Sequence, residues 1–346
     1  MPYSAQPEDA FWKLCREDPE FRISEIYRPK FTISPGDRIA TAGSCFAQNI
    51  SCYIARSSLN LLQVEPAPRG MRPEVARRFG YDLYSARYGN IYTARQLRQL
   101  LEDAAETCLH DTAIWDREGR YFDALRPGVE PEGLGSKDEV RAHRADHLRR
   151  VSAMAVAMDV FIFTLGLTET WEDIATGLVF PSAPGIIAGQ FEPGRHRLLN
   201  LRFDEVRKDL QAVIARLRNI RPDLRIILSV SPVPLTATAT GRHVLAATSY
   251  SKSVLRAVVE ELTVSKSYID YFPAYEMVSA LPFGRESYEA NLRLVAPEAV
   301  DRVMHVFFAA HGVALASEHA PPTTRRDDVH QAVICEDLLT EAFAPK

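Results

Sequence analysis

The sequence predicts an α/β protein: a three-layer arrangement with a doubly wound, mainly parallel sheet between two layers of helices. Three observations predict it. Val160 to Leu165 and Arg225 to Val230 are strand-length runs of mostly apolar residues; runs of that kind suit strands covered on both faces, as in a parallel sheet. Between such runs lie stretches with apolar residues at helical spacing, and this alternation implies right-handed crossovers. With 346 residues, 46% of them hydrophobic, the chain can bury a full core.

The elements follow in order. Pro35-Gly36 forms a turn, Ile39, Ala40 and Ala42 end a short buried strand, and Gly43 gives a permissive turn position. From Phe46 the spacing of Phe46, Ile50, Tyr53 and Ile54 is helical. A short strand is expected over Leu59 to Val64, then a Pro- and Arg-rich loop whose Arg69, Arg72, Arg77 and Arg78 form a solvated face. Thr93 caps an amphipathic helix to Ala105 that carries Leu97, Leu100 and Leu101. Asp111 to Pro131, with Trp115, Tyr121 and Phe122, is expected to be an irregular insertion.

Ser136 and Glu139 resemble a capping box opening a long helix to Met158, which leads into the strand at Val160. Helices are expected over Asp204 to Asn219, His243 to Val264 and Ala296 to His311, with strands at Arg225 to Val230 and Tyr268 to Phe272. Residues 1–30 form a leader whose Phe11 and Trp12 pack on the body, 31–312 the main domain, and 313–346 a linker and tail ending in a short helix.

Composition narrows the function. A formal charge of −4 gives no basic field for nucleic acid. Five scattered cysteines (Cys15, Cys45, Cys52, Cys108, Cys335) suit reduced thiols. The N-terminal stretch has acids and no apolar h-region, and no run reaches the ~18–20 apolar residues of a spanning helix. The expected setting is cytoplasmic. No His, Cys and Asp spacing suggests a metal, and neither nucleotide-binding glycine pattern is present, so no cofactor is expected.

The chemistry centres on Arg38 to Ile54. There Ser44 and Cys45 stand where the chain leaves a strand and enters a helix. Unpaired N–H groups and the positive end of the helix dipole favour developing negative charge at such a place. Ser44 is either a nucleophile or a plain helix cap. Cys45 is a rival nucleophile, although its side chain should face the helix packing side. In sheets of this kind, sites lie beyond the carboxyl ends of the strands. Ser44, Gly166 to Glu169 and Ser231 to Val233 all fall at such ends.

Gly43-Ser44-Cys45-Phe46-Ala47 is the signature for which the GSCFA family is named, and further stretches resemble that family in the same order. They are Arg87 to Thr93, Phe163 to Glu169, Ser229 to Val233, Ser251 to Ser253 and Tyr271 to Glu276. The family is grouped with the SGNH, or GDSL-like, hydrolases. The resemblance implies an SGNH-like fold with Ser44 as nucleophile and an oxyanion site built from the Ser44 N–H, a Gly89 N–H and a side-chain amide. Gly89-Asn90 resembles the second SGNH block. Gly166-Leu167-Thr168-Glu169 stands where those hydrolases carry G-x-N-D, with Thr168 in the place of the asparagine, so that Asn90 is a substitute donor.

The SGNH pattern closes with D-x-x-H before the last helix, whereas this chain reads Asn291-Leu292-Arg293-Leu294. His243, at the start of a helix on the cleft side, is the replacement base, with Glu169 or Glu276 to hold its other ring nitrogen. Asp327-Asp328-Val329-His330 is a literal match in the tail, and His305 and His311 are simplest as packing or surface residues. Lys252 either binds an anionic substrate group or, desolvated, acts as a base. The expected activity is hydrolysis of an ester, or acyl transfer to or from a carbohydrate, through an acyl-enzyme at Ser44. The partner is then a small-molecule or glycan ester. The alternative is a non-catalytic binding or structural protein on the same fold.

Overall fold

The computed structural model describes residues 1–13, 15, 23–282, 284–314 and 336–344. Five strands make its central sheet: β1 (Arg38–Gly43), β2 (Asn60–Leu61), β5 (Val160–Leu165), β9 (Arg225–Val230) and β10 (Ile269–Phe272), in the order β10-β9-β5-β1-β2. Every pairing is parallel. In chain order the first strand sits between the second and the third, so crossovers leave β1 and β5 in opposite directions. The crevice that this reversal opens is where ligands bind in doubly wound sheets.

Alternation along the strands builds two cores. Ala40, Ala42, Phe161, Phe163, Leu165, Ile226 and Leu228 face one side. There they meet α3 (Ala94–Glu106), α4 (Lys137–Ala157), α5 (Phe203–Ile220) and α6 (Val244–Ser265). Ile39, Val160, Ile162, Ile227 and Phe272 face the other side, against α1 (Ala47–Ala55), α7 (Ala274–Ser279) and α8 (Pro297–Ala310). Each large apolar side chain so covered contributes about 1.5–3 kcal/mol. Apolar residues at odd and at even positions are needed to fill both layers, which is why these strands read as unbroken apolar runs.

The expected long elements are present with ends shifted by a residue or two. Thr93 caps α3 in a reciprocal box with Gln96. Ser136 caps α4 by accepting from Glu139 N, but Glu139 itself accepts from Gly135 N, so only half of the expected box forms. The first α-helix past the sheet edge, α2, covers Pro73–Arg78.

Three expectations are corrected. Residues 111–131 are not wholly irregular, since they hold the hairpin of β3 (Ile114–Arg117) and β4 (Arg120–Asp123), with Trp115 and Phe122 buried. A second, antiparallel sheet of β6 (Glu169–Asp173), β7 (Val179–Phe180) and β8 (His196–Asn200) was not foreseen. Gln99 stitches it to α3, donating to Val179 O and accepting from Val179 N. Phe11 and Trp12 are exposed rather than packed on the body. Tyr27 and Ile33 make that junction instead, against Phe272, Phe307 and His311.

Asp327 to His330, and the linker at 317–326, lie outside the described residues. Among the described residues no helix is long and apolar enough to cross a membrane, and no disulfide forms.

Candidate functional site

Ser44 stands at the carboxyl end of β1, at the crevice between β1 and β5. Its N–H continues the parallel ladder to Thr164 O at 3.0 Å, and its carbonyl accepts the Ala47 N–H that opens the turn into α1. Gly43 makes this tight exit possible. Its φ is +143°, and a Cβ there would lie 2.8 Å from Thr164 N and closer still to Thr164 O. Such backbone excludes side chains. Ser44 is 2% exposed. Among the described residues its Oγ has no hydrogen-bond partner, and neither does Thr164 Oγ1 on the neighbouring strand. An unpartnered buried hydroxyl is a cost of roughly 1–3 kcal/mol that a purely structural cap would not carry.

The local hydrogen bonding also rules on the plain cap: the α1 N-cap position is Phe46, with no side-chain capping bond. Cys45 is buried in the cluster of Phe46, Ile50 and Ile54, on the packing side of the helix and away from the crevice.

The Arg87–Thr93 stretch closes on Ser44 from one side. Ile91 N donates to Gly43 O at 2.8 Å. Tyr84 OH reaches both Ser44 O at 3.0 Å and Asn90 Oδ1 at 2.5 Å, and Gln48 Nε2 donates to the same Asn90 oxygen at 3.0 Å. With its oxygen held by two donors, the Asn90 amide is fixed in one flip, with its N–H₂ directed away from them. Gly89 has φ +66°, and its N–H bonds to no described residue. Asn90 also lines a small pocket with Tyr88, Ile91, Leu100 and Arg144; Ser44 is not on its wall.

The Gly166–Glu169 turn closes from the other side. A Cβ on Gly166 would lie 2.9 Å from Ser44 Cβ and 3.2 Å from Tyr92 Cδ1, so only glycine allows this approach. Gly166 N and Leu167 N both donate to Tyr92 O. Thr168 N donates to Ser251 Oγ at 2.9 Å, and Thr168 Oγ1 donates to Asn200 Oδ1 at 2.7 Å. Lys252, 1% exposed, donates from Nζ to Gly166 O at 2.7 Å. Two consecutive residues of α6 therefore pin this turn against Ser44.

These bonds revise the expected oxyanion set. The N–H groups of Ser44 and Gly166 are committed to carbonyls, and the Thr168 hydroxyl is committed to Asn200. Among the backbone donors of that constellation, the Gly89 N–H is the one that bonds to no described residue.

His243 is the exposed N-cap of α6, and its Nδ1 accepts from Leu245 N at 3.2 Å. Neither expected carboxylate holds it. Glu276 binds Arg256 Nε and Tyr271 OH, both at 2.6 Å. Glu169 accepts from Thr238 Oγ1 at 2.8 Å; burial pushes its carboxyl above the ordinary range, with the Thr238 bond opposing. Val244, next to His243, packs on a small cluster of Tyr92, Leu167, Leu235 and Ala247 beside the serine.

Asn291–Leu294, in the place of D-x-x-H, is a structural turn in which Asn291 Oδ1 accepts from Arg293 N and Leu294 N. His311 is buried against Tyr27 and accepts from Ile33 N; His305 binds its own helix.

A model of the GSCFA family matches residues 38–307, from the first residue of β1 into α8. The chain belongs to the GSCFA family. No curated protein and no solved structure matches it. The matched span includes the residues named above beside Ser44 in this GSCFA chain.

Three contributors escaped the sequence reading, Gln48, Tyr84 and Asn200, while Tyr92 lay in the Arg87 to Thr93 stretch with no role assigned. Gln48 carried a faint signal, as one of three polar residues, with Asn49 and Ser51, in the first turns of the helix that follows Ser44. For metals, Asp103, Cys108 and His110 form the described group whose ligand atoms lie within 4.8 Å of one another. Asp103 is already engaged there by His110 Nε2 at 2.8 Å and by the Arg144 guanidinium at 3.0 Å, a cation that opposes a second one.

Proposed function

We propose that this GSCFA protein is a serine-dependent enzyme of ester bonds, a hydrolase or a carbohydrate O-acyltransferase of the SGNH type. The observation that carries the reading is the Ser44 hydroxyl, buried without a partner among the described residues at the crevice between β1 and β5. In the proposed reaction Ser44 Oγ attacks the acyl carbonyl, the Gly89 N–H and the Asn90 amide receive the oxyanion, and the alcohol leaves. Water or a sugar hydroxyl then takes the acyl group from Ser44. Substrate reaches the serine when the small cluster around Tyr92, Leu167 and Leu235 opens. Such a satellite cluster is cheaper to part than the main core.

The second reading, a binding protein on the same fold, is favoured by the structural turn that Asn291 to Leu294 makes in place of D-x-x-H. Turnover of short-chain acyl esters separates the two. The enzyme reading expects turnover in the wild type and its loss in a folded Ser44→Ala variant. Equal turnover in the two proteins would assign the activity elsewhere.

A further inference from the structure

We propose that Lys252 is the base that activates Ser44, an inference that rests on the serine reading above. Three observations lead there. Lys252 projects from α6 into the protein interior, 1% exposed. Its Nζ is 2.7 Å from the carbonyl oxygen of Gly166. Gly166 is the residue whose missing side chain lets it press on Ser44, with only 2.9 Å between its would-be Cβ and Ser44 Cβ. The amine is thus delivered to the residue that abuts the nucleophile, on a four-carbon stem with torsions to spare. Ser251, immediately before it, fixes the same turn through Thr168 N, so the helix and the serine share one frame.

The rival imidazole is less well placed. His243 is exposed and its Nδ1 is engaged by its own helix. Removing an amine from water favours its neutral form, which is the form a base needs. In the acylation step Ser44 Oγ forms a bond to the acyl carbon while its proton passes to the neutral Lys252 amine. The ammonium so formed returns the proton to the departing alkoxide oxygen as the ester C–O bond breaks. In deacylation the same amine takes a proton from water or from the acceptor hydroxyl and returns it to Ser44 Oγ as the acyl group leaves. No other reactant is required. Hydrogen bonds of this kind are often long in the empty site and close only with substrate bound.

The test uses a fluorophosphonate that labels activated serines, on the full chain, with adduct formation followed by intact mass. Lys252→Met keeps the length and packing of the side chain, so the protein should fold as judged by its melting curve. Labelling of Ser44 should slow by about 10²-fold or more, the range expected for loss of a general base. Lys252→Ala should be equally slow, and small primary amines added to the buffer should restore part of its rate but none of the Lys252→Met rate. A merely structural lysine would not give amine rescue. Lys252→Met labelled at the wild-type rate would overturn the assignment while leaving Ser44 as nucleophile. Slow labelling of both variants without amine rescue in Lys252→Ala would reduce Lys252 to a positioning residue for the Gly166 turn. Wild-type protein that is not labelled at Ser44 would overturn the serine reading itself, and this inference with it.

Discussion

Replacing Gly43 by alanine puts one methyl group where the end of β1 touches β5. The would-be Cβ lies 2.8 Å from Thr164 N and 3.1 Å from Thr164 C, atoms of a neighbouring central strand rather than of a flexible side chain. The backbone must also hold φ near +143° with a side chain present, a strain of about 1–3 kcal/mol. Overpacking adds about 1–3 kcal/mol, and any retreat of the strand weakens the Ser44 N to Thr164 O bond, worth about 1 kcal/mol. The total is roughly 3–7 kcal/mol, a large share of the 5–15 kcal/mol that holds a typical domain together. At about 2–4 °C per kcal/mol the melting temperature should fall by about 6–28 °C.

Gly119→Ala is the control, because Gly119 also has positive φ, +76°, but has nothing within 4 Å of its would-be Cβ. It should cost only about 1–2 kcal/mol, the price of the left-handed conformation. Thermal and denaturant melts of the two variants measure the difference. If Gly43→Ala melts no lower than Gly119→Ala, the tight strand exit that delivers Ser44 to the crevice is wrong.

Further outcomes follow from other parts of the structure. Ser44→Ala removes a buried hydroxyl that bonds to none of the described residues, so stability should stay within about 1 kcal/mol of wild type or rise. A loss above about 2 kcal/mol in a denaturant melt would make the hydroxyl structural. Burial, followed by the Arg225 charge, holds His311 down to about 4. Its unfolded value is near 6.5, so the native state resists a proton that the unfolded chain accepts. Stability is therefore complete above pH 6.5 and is lost as pH falls toward 4, by about 3 kcal/mol for this group. His147 is held at about 4 by burial and titrates in the same window. His311→Gln should make stability less steep between pH 6.5 and 4 in denaturant melts, and an unchanged slope would contradict the assignment. Asp209, 1% exposed, binds Arg95 at 2.7 Å and Arg98 at 3.0 Å, joining α3 to α5. Because both arginines keep partial access to water, Asp209→Ala should cost about 1–3 kcal/mol rather than the full penalty of an orphaned buried charge. Calorimetry gives the value directly, and no change would show the bridge to be idle.

The central sheet was legible because its strands are buried on both faces. Val160 to Leu165 and Arg225 to Val230 carry that burial as composition, and the caps at Thr93 and Ser136 as short local patterns. The antiparallel sheet was not legible. Glu172 pairs with Arg197 and Asp173 with Arg195, so β6 and the approach to β8 read as charged loops until the partner segment is known. Phe11 and Trp12 misled because aromatic residues imply a core only if something covers them.

At the site, Ser44, Gly89, Asn90, Gly166 and Lys252 were legible as motif positions. Their commitments were not. That Ser44 N is taken by Thr164 O, that Thr168 serves Asn200, and that Asn90 is held by Gln48 and Tyr84 are all long-range bonds. A local pattern has no means of recording them.

The account turns on whether the Ser44 hydroxyl is chemically reactive. The direct measurement treats the full-length protein with a serine-reactive fluorophosphonate, then maps the adduct by peptide mass spectrometry beside a folded Ser44→Ala control. The account predicts one adduct per chain, on the peptide carrying Ser44, and none in the control. Folded wild-type protein with no adduct at Ser44, or with equal labelling in Ser44→Ala, would contradict it.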